Sequence, residues 1–246
     1  MRVHVIATTI VMALALCGTA SAGIVTGSVG SMPTYSPMDL SDGTSDWVIY
    51  GGLGSNGSGT DMTTGTASSS FTPVSITGAG PYTKGLSGVI KYAYDAAYGT
   101  YPSGAVTSID NAPVVADSGT LSEVSFTHTL LGAAETLNIV VCTKSTNMQW
   151  VDLSASLNTG GSWSVINQQL PTTAGNKGYF GIVSLDVTGA VGDQLSFTVS
   201  SNYTNVASPP SYYGVGLSSA TATVVPEPAT MALFAMGGLA LIRRKR

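Results

Sequence analysis

Apolar and polar residues alternate along most of this chain with the two-residue period of a β-strand that buries one face. In LSEVSFTHTLL, one side carries Val124, Phe126 and Leu130 together with His128, and the other side carries serine and threonine. WVDLSASL and QLSFTVS, which begin at Trp150 and Gln194, repeat the pattern. Further strands are predicted at 46–50, 71–76, 88–94, 137–142, 162–166, 179–187 and 214–224.

Clusters of Gly, Asn, Asp and Pro separate these strands, and no segment keeps a helical period. About ten short strands in roughly 200 residues predict an all-β fold, an antiparallel jelly-roll-like β-sandwich. The low-complexity stretch 51–70 is predicted to be a flexible loop.

The N-terminus has the pattern of a secretory signal peptide. Arg2 precedes an apolar stretch, and Ala20 and Ala22 form the small-residue site for cleavage before Gly23. We therefore expect residues 1–22 to be removed by signal peptidase. The alternative, a lipoprotein signal that uses Cys17, is disfavoured because the bulky Leu16 precedes the cysteine.

The C-terminus carries a second apolar segment. Ala229 to Ile242 is uncharged over 14 residues, and as a helix it would be about 21 Å long, which is short of a ~30 Å hydrocarbon core. Pro226 and Pro228 fit only at or before its start. The cations Arg243, Arg244, Lys245 and Arg246 are expected to stay on the cytoplasmic side and stop transfer.

This ending, Val225-Pro226-Glu227-Pro228-Ala229-Thr230 followed by the apolar run and the basic terminus, resembles the PEP-CTERM sorting signal of exported bacterial proteins. The resemblance covers only about 22 residues. It implies processing by exosortase, a membrane-embedded transpeptidase-like enzyme that cuts near Pro-Glu-Pro. A short anchor that is never cut is the alternative. The stretches from SDWVIYG through TLLGAAETLNIVV and the closing GVGLSSATATV also loosely resemble the body domain of exosortase-sorted proteins.

The charge of the body excludes one class of partner. Between the two end segments lie four lysines and twelve acidic residues. The lysines are scattered singly, whereas binding to phosphate needs clustered cations, so nucleic acid is not an expected partner.

The candidates for covalent and redox chemistry are weak. Gly52, Gly54 and Gly57 have the spacing of a dinucleotide fingerprint, but no helical pattern follows them. His128 is predicted to be a core histidine because it lies on the apolar side of its strand, and Cys142 is predicted to be a buried thiol. Once residues 1–22 are removed, the chain has one histidine and one cysteine, which are too few for a zinc site.

Calcium is the best metal candidate, with Asp39, Asp42 and Asp46 as weak candidate ligands around Gly43. The spacing lacks the regularity of an EF-hand loop, and three nearby aspartates are also typical of a polar turn. We therefore predict no cofactor, and calcium is the one weak candidate.

Carboxylates and aromatic rings suggest carbohydrate chemistry. Asp152, Asp186 and Asp193 are available for glycoside hydrolysis, but the sequence does not show that any two meet in a cleft. Tyr92, Tyr94 and Trp150 are candidates for stacking on sugars, and packing at a sandwich edge is the alternative.

The sequence thus predicts a signal peptide (1–22), a β-sandwich body (23–224) and a sorting segment (225–246). The expected protein is not an enzyme but a structural or adhesive component of the cell surface or extracellular matrix. The alternatives are a carbohydrate-binding module, with extracellular polysaccharide as partner, and an exported glycan-degrading enzyme.

Overall fold

The computed structural model describes residues 22–31, 37–39, 45–50, 62–64, 70–77, 81–85, 91–94, 105–108, 111–115, 123–143, 150–173, 178–202 and 215–226. The regular structure of these residues is β-strand. The strands are β1 (Ile24–Gly30), β2 (Pro37–Asp39), β3 (Asp46–Tyr50), β4 (Met62–Thr64), β5 (Ser75–Thr77), β6 (Pro81–Gly85), β7 (Lys91–Tyr94), β8 (Ala105–Ser108), β9 (Asn111–Val115), β10 (Glu123–Thr129), β11 (Ala134–Thr143), β12 (Trp150–Leu157), β13 (Ser162–Gln169), β14 (Thr172–Thr173), β15 (Tyr179–Thr188), β16 (Gln194–Ser201) and β17 (Val215–Val224).

The described strands form three sheets. A large sheet has the order β1-β15-β11-β17-β3-β4. Three further strands belong to it: β14 pairs with β15, β9 pairs with β17, and β6 pairs with β9. A five-stranded sheet has the order β13-β12-β16-β10-β5, and a small sheet has the order β2-β7-β8. The pairs in the two larger sheets are antiparallel, whereas β2 and β7 form a parallel pair. The predicted all-β, antiparallel architecture is confirmed.

The core lies between the large sheet and the five-stranded sheet. Alternate residues of β15 and β11, such as Leu185 and Ile139, face alternate residues of β16 and β12, such as Phe197 and Leu153, and all four belong to one buried cluster. Serine and threonine occupy the intervening, outward positions of β10 and β16, so the period-two pattern follows directly from burial of one face. The molecule is a β-sandwich.

An aromatic cluster joins the two sheets across this core. The ring of Phe126 in the five-stranded sheet lies 5.6 Å from that of Tyr50 in the large sheet. It also lies 5.5 Å from Phe197 and 5.8 Å from Phe71. These separations are within the favourable range for aromatic pairs. The cluster therefore fixes β3 and the segment at 70–72 against β10 and β16.

Several predicted boundaries differ from the structure. The segment 71–76 is a strand only at its end, in β5, and Phe71 makes an isolated bridge to His128. The predicted loop at 51–70 contains β4, which pairs with β3 and extends the large sheet, so that prediction is wrong at 62–64. Seven of the described strands were not predicted, namely β1, β2, β4, β6, β8, β9 and β14. In two of them a residue that does not favour a strand weakens the pattern: β1 contains Gly27 and β9 contains Pro113.

Candidate functional site: the tail-bearing end of the sandwich

The candidate sorting segment begins where β17 ends. β17 lies inside the large sheet, between β11 and β3. The N–H of Val224 donates to the Ser45 hydroxyl (2.9 Å), and the N–H of Val225 donates to the Ala134 carbonyl (2.8 Å). Pro226 follows at once, so Pro-Glu-Pro starts directly after the last residue that these hydrogen bonds fix to the body.

Two turns lie beside this exit point. The turn at 130–133 connects β10 to β11, and the turn at 189–193 connects β15 to β16. Backbone hydrogen bonds join them, from Leu130 N–H to Asp193 O and from Gly192 N–H to Leu130 O, each 2.9 Å long. The first residue of β1 lies at the same end of the large sheet, because Ile24 and Ala134 both pair with Thr188, the last residue of β15. We call Ile24, the two turns and Val225 the tail-bearing end.

A buried carboxylate, that of Glu135, closes the first turn from the inside. Glu135 and His128 both lie on the core side of their strands, and their side chains are fully buried, with 2.6 Å between Oε2 and Nε2. The other carboxylate oxygen, Oε1, accepts hydrogen bonds from the N–H groups of Leu131 and Gly132. The His128 ring stacks on Phe71 at 4.5 Å. Glu135 therefore ties the turn at 130–133 to the core.

The second turn is closed in a similar way. Asp193 Oδ2 accepts hydrogen bonds from Ala190 N–H (2.8 Å) and from the Thr159 hydroxyl (2.7 Å). The carboxylates of both turns are thus directed into the protein and engaged by its own donors.

Gly132 sets the distance between the first turn and β17. A Cβ atom at this position would lie 2.5 Å from Cγ1 of Val224, which is closer than van der Waals contact allows. The glycine is required for this close approach rather than for an unusual backbone angle. The last residue of β17 therefore packs directly on the turn.

Comparison with protein families identifies the segment that leaves this end. The model of the PEP-CTERM protein-sorting motif matches residues 224–246. Residues 224–246 are a PEP-CTERM sorting motif. The motif implies an exported protein that is sorted at the cell envelope and processed by an exosortase. The sequence prediction of this segment is confirmed.

Solved structures share only a distant likeness with the body. The enzymatically active domain of tailspike protein 4 from bacteriophage CBA120 is 15% identical, with 63% of this chain and 19% of that chain covered and a TM-score of 0.35. The carbohydrate-binding module CBM36 in complex with calcium and xylotriose is 11% identical, with 61% and 93% covered and a TM-score of 0.28.

The CBM36-1 domain of a multidomain xylanase from the hindgut metagenome of Trinervitermes trinervoides is 15% identical, with 63% and 99% covered and a TM-score of 0.28. This chain spans less than a fifth of the length of the tailspike domain. None of the curated proteins compared with it matches.

The candidate calcium ligands are only partly described. Asp46 is fully buried. Its Oδ1 accepts the N–H of Trp47 (2.9 Å), and its Oδ2 accepts the N–H (2.5 Å) and the hydroxyl (2.8 Å) of Ser70. Asp42 and the side chain of Asp39 lie outside the described part. Among the described residues, no three or more His, Cys, Asp and Glu side chains are grouped to hold a metal.

The Asp46 carboxylate also affects a neighbouring tyrosine. Burial raises the pKa of Tyr50 well above its usual value, and the nearby Asp46 raises it further. The Tyr50 hydroxyl donates to the Thr72 carbonyl (3.2 Å). Asp46 and Tyr50 together fasten β3 to the segment at 70–72.

The candidate catalytic carboxylates lie apart. Asp152 faces outward from the five-stranded sheet, where its Oδ1 accepts hydrogen bonds from Asn167 N–H and the Asn202 amide. Asp186 faces outward from the large sheet and accepts a hydrogen bond from the Thr136 hydroxyl. These two aspartates therefore occupy opposite outer faces of the sandwich, and the third, Asp193, closes its turn.

The remaining sequence candidates fall in three classes. His128 and Cys142 are buried, as predicted. Trp150 lies on the outer face of β12, half-buried, as its place in the alternation indicates. Tyr92 and Tyr94 lie in β7, and their side chains are outside the described part.

The described residues include no helix long and apolar enough to span a bilayer. The two predicted apolar end segments are not covered by this finding, because residues 1–21 and 227–246 are outside the described part.

Glu135 was missed by the sequence reasoning. Its position alternates with Leu137 and Ile139, so the pattern places a carboxylate on the core side of β11. His128 sits on the core side of the preceding strand, across a short turn. Two ionisable residues at inward positions on either side of one turn are the signal that predicts such a pair.

Proposed function

We propose that this chain is an exported structural or adhesive protein of an extracellular polymer layer, held at the membrane by its C-terminal tail until exosortase cuts near Pro-Glu-Pro. In this proposal signal peptidase first removes residues 1–22, and residues 23–224 remain as a jelly-roll-like body. The apolar run from Ala229 and the cations from Arg243 to Arg246 act as a transient hold and a stop.

The observation that carries this proposal is the direct connection between the PEP-CTERM motif and β17. Because the motif is joined to an inner strand, Pro-Glu-Pro stays next to the folded body. The hydrogen bonds donated by Val224 and Val225 hold the end of that strand in the sheet. The carboxylates of Glu135 and Asp193 at the tail-bearing end accept hydrogen bonds from their own turns.

The test is fractionation of a host with and without its exosortase. In the complete host we expect the protein in the surface or extracellular fraction, and without exosortase we expect it to accumulate in the membrane fraction. A protein with the tail from Pro228 onward removed is the control and should leave the membrane in both hosts. Equal distribution of the full chain in both hosts would contradict the proposal.

A second candidate function, binding to extracellular polysaccharide, is favoured by the surroundings of Trp150. Trp150 pairs with Gln169, and two residues further along β12 the Asp152 carboxylate holds the Asn202 amide. A half-buried indole on an outer face, beside amides and a carboxylate, offers a ring edge for stacking and groups for hydrogen bonding with sugars. Binding to neutral polysaccharides, measured by affinity electrophoresis, should be lost in Trp150→Ala and kept in Ile166→Ala. Equal retardation of both variants would exclude this surface.

A further inference from the structure

The large exposed apolar side chains of the described residues are concentrated at one end of the sandwich. They are Ile24 (56% exposed), Leu131 (40%), Ile166 (75%), Val191 (68%) and Val225 (44%). All except Ile166 belong to the tail-bearing end. Single exposed apolar residues are normal on a protein surface, whereas clustering of such residues indicates a surface that contacts something.

The fold brings these four residues to the same end. Ile24 and Val225 sit at the terminal row of the large sheet, on either side of Thr188 and Ala134. Leu131 and Val191 lie in the two turns that hydrogen-bond to each other through Leu130. Residues far apart in sequence therefore present apolar side chains where the tail leaves.

The polar groups of the same turns are directed inward. Glu135 and Asp193 accept hydrogen bonds from their own turns, so their charges do not surround Leu131 and Val191. In the described stretches 123–143, 150–173, 178–202 and 215–226 there is no lysine or arginine. The part of this surface that these stretches form is thus apolar and carries no cation, and its contacts would depend on insertion of side chains rather than on attraction to anionic groups.

The length of the connection limits what can cover this end. Only Pro226, Glu227 and Pro228 separate Val225 from the first residue of the apolar run. A fully extended chain spans at most about 14 Å from Val225 to Ala229. The polar region of a bilayer is about 5–7 Å thick on each side of the hydrocarbon core. An apolar run placed in the hydrocarbon therefore leaves the body almost no distance from the lipid surface.

We propose that the tail-bearing end is a membrane-contacting surface, and that Leu131 and Val191 enter the lipid interface while the tail is in the bilayer. This inference rests on the proposed function, because it requires the tail to be inserted before cleavage. The contact orients the sandwich with β17 pointing toward the bilayer and holds Pro-Glu-Pro at the surface, within reach of a membrane-embedded enzyme. Cleavage then releases a body whose remaining attachment is weak, since the described stretches that form this end contain no lysine or arginine.

The test places an environment-sensitive fluorophore on the chain from Gly23 to Arg246, the form left by the proposed removal of residues 1–22, in vesicles of phosphatidylcholine with one quarter phosphatidylglycerol. Single labels go on Leu131→Cys and Val191→Cys, and the other cysteine of this chain, Cys142, is buried and shielded from the reagent. Ile166→Cys is the control, because this residue is also apolar and is more exposed than either (75%) but lies away from the tail-bearing end. Ala235→Cys, in the middle of the apolar run, reports insertion of the tail itself.

We expect emission of the labels at 131 and 191 to shift to the blue and to be quenched by spin-labelled lipids several times more strongly than the label at 166. The label at 235 should be quenched most. A quenched tail label with equal, weak quenching at 131, 191 and 166 would overturn the membrane-contacting surface and leave the sorting proposal intact. A tail label that stays in water would overturn both.

Discussion

Replacing Glu135 with alanine should loosen the tail-bearing end and destabilise the whole body. The substitution removes the acceptor for the N–H groups of Leu131 and Gly132 and the partner of the His128 ring, all contacts of one carboxylate. Leaving a buried donor unsatisfied costs about 1–3 kcal/mol, and both the Gly132 N–H and the His128 ring lose their partner. Because the Leu131 N–H is only part-buried and water can replace its partner, we expect a loss of about 3–5 kcal/mol in the free energy of unfolding.

Urea unfolding of the variants gives this loss directly. Glu135→Gln is the matched control, since its amide oxygen still accepts from the turn while the charge is gone, and it should lose less than the alanine variant. Hydrogen exchange at the amides of Leu131 and Gly132 should accelerate in Glu135→Ala beyond the change at Val199 in the core. A loss below about 1 kcal/mol for Glu135→Ala, which is the size of a single ordinary hydrogen bond, would refute the reasoning.

Three further predictions concern the core and the turn. Gly132→Ala should cost about 1–3 kcal/mol in thermal or urea unfolding, because the new methyl group must displace Val224; an unchanged midpoint would show that the turn yields freely. The raised pKa of Tyr50 means that its neutral form is favoured in the folded state, so this contribution to stability is present below the ordinary tyrosine pKa of about 10 and is lost as pH rises above it. Tyr50→Phe should therefore flatten the decline of stability in alkaline urea titrations, and an unchanged slope would contradict the assignment. Phe126→Ala, which removes the centre of the aromatic cluster, should cost about 3–5 kcal/mol by the same unfolding assay, and a cost near that of a surface residue would contradict the packing.

The parts of the fold that the sequence predicted are those in which burial of one face decides the residue pattern. β10, β12 and β16 each place apolar residues toward the core and small hydroxyl residues toward solvent, so alternation locates them. β17 is buried on both sides along most of its length and was found instead by its run of small and β-branched residues. β1 and β9 were missed because Gly27 and Pro113 weaken the local signal, while pairing with β15 and β6 decides their structure.

The tail-bearing end could be predicted only in part. The PEP-CTERM motif is local in sequence and was therefore recognised. The engagement of Glu135, Asp46 and Asp193 depends on turns and segments that the topology brings together, and a single sequence does not show which N–H groups will meet them. The clustering of Leu131 and Val191 has the same origin, since each residue alone is an ordinary exposed side chain in a turn.

The central claim is that exosortase processing removes the tail beside β17. The most direct measurement is the intact mass of the protein recovered from its native host, for the wild type and for a variant with Pro226→Ala, Glu227→Ala and Pro228→Ala. We expect the wild type to lack the residues beyond the motif, and the variant to keep them and to remain with the membrane. A wild-type mass that still includes Arg243 to Arg246 would mean that the tail is a permanent anchor and would contradict the account.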